Sequence, residues 1–473
     1  MKRFFLLLML TGLYAGAGAS KVKVQGVAPE YAGTKLEFQY IDNPITQHYR
    51  TIATCLVSAS GNFETEFEAD STLLINISLD ANNGFFYAEP GKTYQILLPP
   101  LRKKTIREQR SPFFRPSLVH LNILHSDSLE LNNLIATLDS TFSSSLQKNL
   151  NAIFQNHSRV HAQMIDSLID HIGRSNTTPF LKDYKQYKKA YIGCMLQSQA
   201  TSGNIRRFLS QNSVLINNPA YLEVIDLLSR EYLRSISTKR GDKPIEQLIG
   251  EGDFTALRDR LTGQQGFSQE VAELFLLQNL YDGYYSKDYS TEGILRVIES
   301  MTTKSSSPLL CKLSQGVYQK IIWLSAGSPA PSFSLTDQSG KLRTLADFKG
   351  KFVYLNFVAT DDYSCQEHFK AFLPLSANFA KDLAIVSLAI DADFSKANNF
   401  FHSKNYSWTL LNAADSSELL KIYNVKSFPQ YVLIDREGKI VNSQALSPYE
   451  DFQSQFSSLL QTEHIKQLRE QSK

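Results

Sequence analysis

Four cysteines, Cys55, Cys194, Cys311 and Cys365, are scattered through a 473-residue chain, and no two of them form a Cys-x-x-Cys pair. A zinc ribbon needs closely spaced thiol pairs, and dithiol exchange needs two thiols within one turn, so the spacing excludes both. Cys55, Cys194 and Cys311 read as buried free thiols or as partners across domains, and one sequence does not reveal the connectivity. His157 and His161 stand four apart in a helical stretch. That spacing could place two imidazoles on one metal, but no glutamate follows His157 and no third ligand is evident. A solvated helix face is the expectation there, and neither a metal nor a cofactor is assigned.

The 49 basic residues nearly balance the 46 acidic ones, for a formal net charge of +3. No strong pull toward nucleic acid or an anionic membrane follows. Hydrophobic residues at 42% and charged residues at 20% exclude a mainly disordered or collagen-like chain. The length exceeds what one core usually takes, which predicts two or three domains.

Lys2 and Arg3 precede a nearly continuous apolar run over residues 4–13, and residues 15–20 are all small. The run is too short to span a bilayer, so residues 1–19 read as a secretory signal peptide cut after Ala19. No cysteine lies near the cut, so no lipid anchor is expected, and the rest of the chain has no apolar run of transmembrane length. The mature protein is expected to be soluble and periplasmic, where disulfides persist.

Residues 20–100 alternate with period two. Val22 and Val24, then Leu36, Phe38 and Tyr40, then Phe63 and Phe67 mark dry faces separated by turn signals. An N-terminal antiparallel β-sandwich is predicted. Residues 101–325 read as a helical middle region, with Leu131, Leu134, Ile135, Leu138 and Phe142 at three- and four-residue steps and Pro219 opening another helix. Residues 325–331 form a Ser/Gly/Pro-rich linker. Beyond it, the apolar run over residues 352–358 reads as a strand buried on both faces, followed by strand–helix units and a closing hairpin at Asp435-Arg436-Glu437-Gly438-Lys439. An α/β domain over residues 326–465 is predicted.

Its residues resemble a family. Ala330-Pro331-Ser332-Phe333-Ser334-Leu335, Gly340-Lys341 and Leu345-Ala346-Asp347-Phe348-Lys349-Gly350-Lys351 resemble the opening segment of the TlpA/ResA branch of thioredoxin-fold proteins. Leu355-Asn356-Phe357-Val358-Ala359-Thr360 is similar to the strand leading into that family's active site. The stretch from Tyr423 through Phe428-Pro429 to Asp435 is similar to its cis-proline loop and next strand. The two regions before the linker resemble extensions on secreted members from Bacteroidetes.

The family pattern Asn-Phe-Trp-Ala-Thr-Trp-Cys-x-x-Cys meets Asn356-Phe357-Val358-Ala359-Thr360-Asp361-Asp362-Tyr363-Ser364-Cys365 here. The resemblance implies that Asp362 stands at the attacking-cysteine position and Cys365 at the resolving one. A carboxylate keeps charge at the helix end but forms no mixed disulfide, and the expectation is that Asp361 or Asp362 caps the helix. Cys365 reads either as a small core residue or as a single reactive thiol. In the second case it would act in thiol–disulfide exchange or as a peroxidase, with His368 on the same helix face lowering its pKa. The peroxidase pattern matches poorly, since Val358 and Asp362 occupy the places of its Pro and Thr. In relatives the backbone before the cis-proline pairs with an extended substrate peptide. The expected partner is therefore an extended peptide or envelope protein at a groove containing Tyr363, Phe428 and Pro429. Phe428 reads equally well as loop packing. No oligomeric state can be read.

Overall fold

A computed structural model describes residues 19–105, 108, 114–176, 178–196, 214–229, 233, 242–265, 267–286, 289–414 and 416–471. The predicted signal peptide lies outside the described residues, apart from Ala19. The chain forms two compact units, residues 1–102 with 116–316, and residues 103–115 with 317–473.

The first unit contains β1 (Ser20–Val27), β2 (Lys35–Asn43), β3 (His48–Leu56), β4 (Asn62–Ala69), β5 (Leu73–Leu79), β6 (Asn82–Ala88), β7 (Thr93–Leu97), β8 (Ser117–His120) and β9 (Asn122–Ile123). They form a four-stranded sheet, β4-β1-β7-β9, and a five-stranded sheet, β3-β2-β5-β6-β8. The predicted period-two faces meet between them. Val22, Val24, Phe63 and Phe67 from one sheet share a core with Leu36, Phe38, Ile75 and Phe86 from the other.

The sandwich differs from the expectation in two ways. It is mixed rather than antiparallel, because β1–β7 and β6–β8 are parallel pairs. Between β1 and β7 the chain passes through the other sheet, so no hairpin forces the two to run oppositely. The β region also continues past residue 100. The short runs of β8 and β9 carry no period that separates them from the flanking loop.

The helices are α1 (Leu131–Lys148), α2 (Leu150–Phe154), α3 (Arg159–His171), α4 (Pro179–Met195), α5 (Pro219–Ser229), α6 (Ile245–Glu251), α7 (Phe254–Gln265), α8 (Gln269–Ser286), α9 (Thr291–Lys304) and α10 (Pro308–Ile322). The apolar positions predicted for α1 are its buried face. Glu130 caps α1 by accepting from Asn132 N and Asn133 N. Asn132 itself is buried, and its side chain substitutes for a neighbouring strand. Its Oδ1 accepts from Tyr87 N at 2.6 Å, and its Nδ2 donates to Tyr87 O at 2.9 Å. Pairing of β6 with β8 ends at Phe85, so α1 satisfies the next backbone groups of β6. His157 precedes α3 with φ of 48°, and His161 bonds to Ser158 Oγ at 2.8 Å, so the pair does not share the helix face that spacing suggested. Among the described residues no group of three or more His, Cys, Asp or Glu is placed to hold a metal.

The second unit has a hairpin, β10 (Ser334–Thr336) and β11 (Leu342–Thr344), then β12 (Phe352–Val358), α11 (Tyr363–Asn378), β13 (Leu383–Ala389), α12 (Phe394–Ser403), β14 (Thr409–Asn412), α13 (Ser417–Ile422), β15 (Gln430–Ile434), β16 (Ile440–Asn442) and α14 (Phe452–Gln471). The central sheet runs β14-β13-β12-β15-β16, with β12, β13 and β14 parallel and the other two antiparallel. This is a thioredoxin-like sheet with helices on both faces. Every residue of β12 is buried. Tyr354 and Val358 enter one core, while Val353, Leu355 and Phe357 enter the other. Asn356 is tolerated between them because it is satisfied. Trp408 Nε1 donates to Ser387 Oγ at 3.0 Å, which donates to Asn356 Oδ1 at 2.7 Å, and Asn356 Nδ2 donates to Val386 O at 3.1 Å.

Both edges of this sheet are covered by the chain itself. Along β14, Leu410 N donates to Gln338 Oε1 and Gln338 Nε2 donates to Trp408 O. Along β16, Gly327 N donates to Ile440 O, Ile440 N to Ser328 O, and Ala330 N to Gly438 O. The linker is thus an edge strand in function. Among the described residues no helix is long and apolar enough to cross a membrane.

Candidate functional site

The carboxyl end of β12 turns through Ala359 and Thr360 into α11. Asp391, buried at the end of β13, accepts from Thr360 N and Thr360 Oγ1, the latter at 2.7 Å. Gln366 Nε2 donates to Thr360 O at 2.9 Å, which ties the turn to the helix. Asp362 is the N-cap of α11, and its Oδ1 accepts from Cys365 N at 3.0 Å. The predicted capping role is the geometry found. Asp362, Tyr363 and Ser364 are exposed, Tyr363 by 75%.

Cys365 is 0% exposed, and burial pushes its thiol up to about 12, with the Asp362 carboxylate adding to the rise. A reactive single cysteine requires an exposed thiol whose pKa is lowered, and this environment does the opposite. His368 does not supply the expected assistance. Its Nδ1 is hydrogen-bonded to the Tyr431 hydroxyl, and burial holds its pKa below the ordinary histidine value, against a smaller opposing effect of Glu450.

At pH 8 a thiol of pKa about 12 is ionised in roughly one molecule in ten thousand. Iodoacetamide should therefore leave Cys365 unlabelled in the native protein and label it fully after denaturation, read by peptide mass spectrometry. Native labelling that titrates near neutral pH would return the reactive-thiol reading.

On the far side of α11 the loop before β15 carries a cis peptide at Phe428–Pro429, as the family resemblance implies. A cleft of about 620 Å³ lies beside it. One wall is Ser364 and His368 from α11, the second is residues 426–431, and the third is Gln444, Ala445, Ser447 and Glu450 beyond β16. Of the predicted groove residues, Phe428 and Pro429 line this cleft together with His368, whereas Asp362, Tyr363 and Cys365 do not.

The third wall was missed by sequence reasoning, and so were Gln430 and Tyr431. The turn signal Ser447-Pro448-Tyr449 was available, but nothing local linked it to a strand sixteen residues earlier. The link is a backbone bond from Ala445 N to Tyr431 O at 3.1 Å.

Residues 325–460 match the Redoxin family. Over 132 residues the chain is 35% identical to thiol-disulfide oxidoreductase ResA of Bacillus cereus, covering 27% of this chain and 75% of that protein. It is 31% identical over 138 residues to ResA of Bacillus subtilis, covering 28% and 76%. The crystal structure of the thioredoxin domain of a thiol-disulfide oxidoreductase from Bacteroides vulgatus is 27% identical, spans 28% of this chain and 97% of that one, and aligns with a TM-score of 0.27. Identity at this level over three quarters of ResA, falling on the sheet, capped helix and cis-proline loop just described, means that by its C-terminal domain the chain belongs to the TlpA/ResA-type family of thioredoxin-fold proteins.

Proposed function

We propose that the C-terminal domain keeps the family's peptide groove without its dithiol chemistry, and that it holds an extended segment of a cell-envelope polypeptide in the cleft beside Pro429. The observation that carries the reading is the N-terminus of α11. In the family pattern this place belongs to the attacking cysteine. Here Asp362 occupies it as a helix cap, and the remaining Cys365 is sealed beneath it with its thiol at about 12. What is left open is a binding surface. The backbone N–H and C=O of Ser427, directly before the cis dipeptide, make no hydrogen bond among the described residues, and an extended chain could pair with them by strand addition. The signal-peptide reading of residues 1–19 supports an activity outside the cytoplasm, and the matched ResA proteins are named as thiol-disulfide oxidoreductases.

Reduced, carbamidomethylated ribonuclease A is an unfolded chain without free thiols, so it probes binding apart from exchange. The mature protein should bind it in equilibrium titrations. Ser364→Trp, which fills the cleft from an exposed helix position, should weaken binding at least ~tenfold. No binding by the parent protein, or equal binding by Ser364→Trp, would overturn the reading.

A further inference from the structure

We propose that His368 is a ligand-binding donor of this cleft, presenting an Nε2–H to a main-chain carbonyl of the bound extended polypeptide. The inference rests on the peptide-binding reading above and adds which group reads the ligand.

The imidazole is clamped. Tyr431 from β15 lies parallel to it, with ring centroids 5.9 Å apart and planes 8° apart. Tyr449 meets it edge-on at 5.2 Å, and the Tyr449 hydroxyl donates to Glu367 O at 3.1 Å on the same helix. The ring is therefore held from two sides by residues fixed to other elements.

The position of the proton follows from the hydrogen bonds available. The Tyr431 hydroxyl, on a buried side chain, has His368 Nδ1 as its one partner among the described residues. A neutral buried hydroxyl with one partner donates to it, because the alternative strands its proton without an acceptor. Nδ1 then accepts, and the single proton of the neutral imidazole sits on Nε2. Burial keeps the ring neutral at pH 7, so the choice is between tautomers. Nε2 is on the ring edge turned away from Tyr431, and His368 lines the cleft.

The charges around it select the acceptor. Glu450 faces the ring from the segment beyond β16, and it disfavours an anionic ligand beside it. Lys426 lines the opposite wall, while burial keeps Tyr431 neutral. The remaining acceptor that every polypeptide carries is the main-chain carbonyl. An extended chain offers carbonyls to both sides in alternation, one set toward Ser427 and the other toward His368.

The test separates this inference from the reading beneath it. Nitrogen-15 spectra of the imidazoles in the full chain should place the His368 proton on Nε2, and Tyr431→Phe should lose that preference. With carbamidomethylated ribonuclease A as the probe, His368→Asn keeps a partner for Tyr431 but lacks the distal donor and should weaken binding ~tenfold. His368→Gln, whose amide reaches the distal position, should recover most of that loss. A proton on Nδ1, or parental affinity in His368→Asn, overturns the role of His368. Failure of the parent protein to bind, or of Ser364→Trp to weaken binding, overturns the peptide-binding reading instead.

Discussion

Asp362→Cys should raise the turnover of insulin disulfides at least a hundredfold above that of the parent protein. The substitution makes residues 362–365 a Cys-x-x-Cys at the start of α11. A thiol at the exposed cap position meets the free N–H groups and positive end of the helix, which lower thiol pKa values. The Asp362 carboxylate already interacts with the Cys365 thiol, so a sulfur in its place is within reach of the buried one. Removing that carboxylate also removes a charge that raises the Cys365 pKa. The cost is the cap, about 1 kcal/mol of helix stability. Two results would count against the account. One is a disulfide between the introduced thiol and Cys365 that forms without turnover. The other is parental activity that disappears in Cys365→Ser.

The largest stability effect is expected in the first unit. Asn132→Leu leaves both backbone groups of Tyr87 buried without partners, at roughly 1–3 kcal/mol each, so a loss of about 2–6 kcal/mol is expected. Asn132→Asp keeps the acceptor for Tyr87 N but sets a carboxylate oxygen against Tyr87 O and Glu130 Oε1, and should lose at least as much. The chain's two tryptophans, Trp323 and Trp408, both lie in the second unit. Denaturant unfolding followed by hydrogen exchange at β6 should therefore shift while the tryptophan fluorescence transition stays in place. A change below ~1 kcal/mol at β6 would mean that water satisfies Tyr87.

The difference between what could be read and what could not lies in the range of the interactions. The strand over residues 352–358 was legible because burial on both faces leaves an unbroken apolar run. α1 was legible because one buried stripe repeats every three to four residues. The cap at Asp362 was legible because capping is local. The parallel pairing of β1 with β7 was not, since it depends on where the intervening residues 28–92 go. Nor was the role of Asn132, whose partner lies forty-five residues away. At the site, the residues before Pro429 could be named from the loop itself. The His368–Tyr431 bond joins positions sixty-three apart, and no pattern in either segment announces it.

The covered sheet edges bear on what kind of ligand the domain can handle safely. An open edge beside a bound, unfolded chain would act as a template. The first segment captured would recruit a second by backbone pairing, and a growing β-assembly would follow. With Gln338 closing one side and residues 327–330 the other, pairing stops at the loop before Pro429. On the peptide-binding proposal, a domain built this way would hold one sticky stretch of polypeptide and release it, without seeding the aggregate that the stretch would otherwise join.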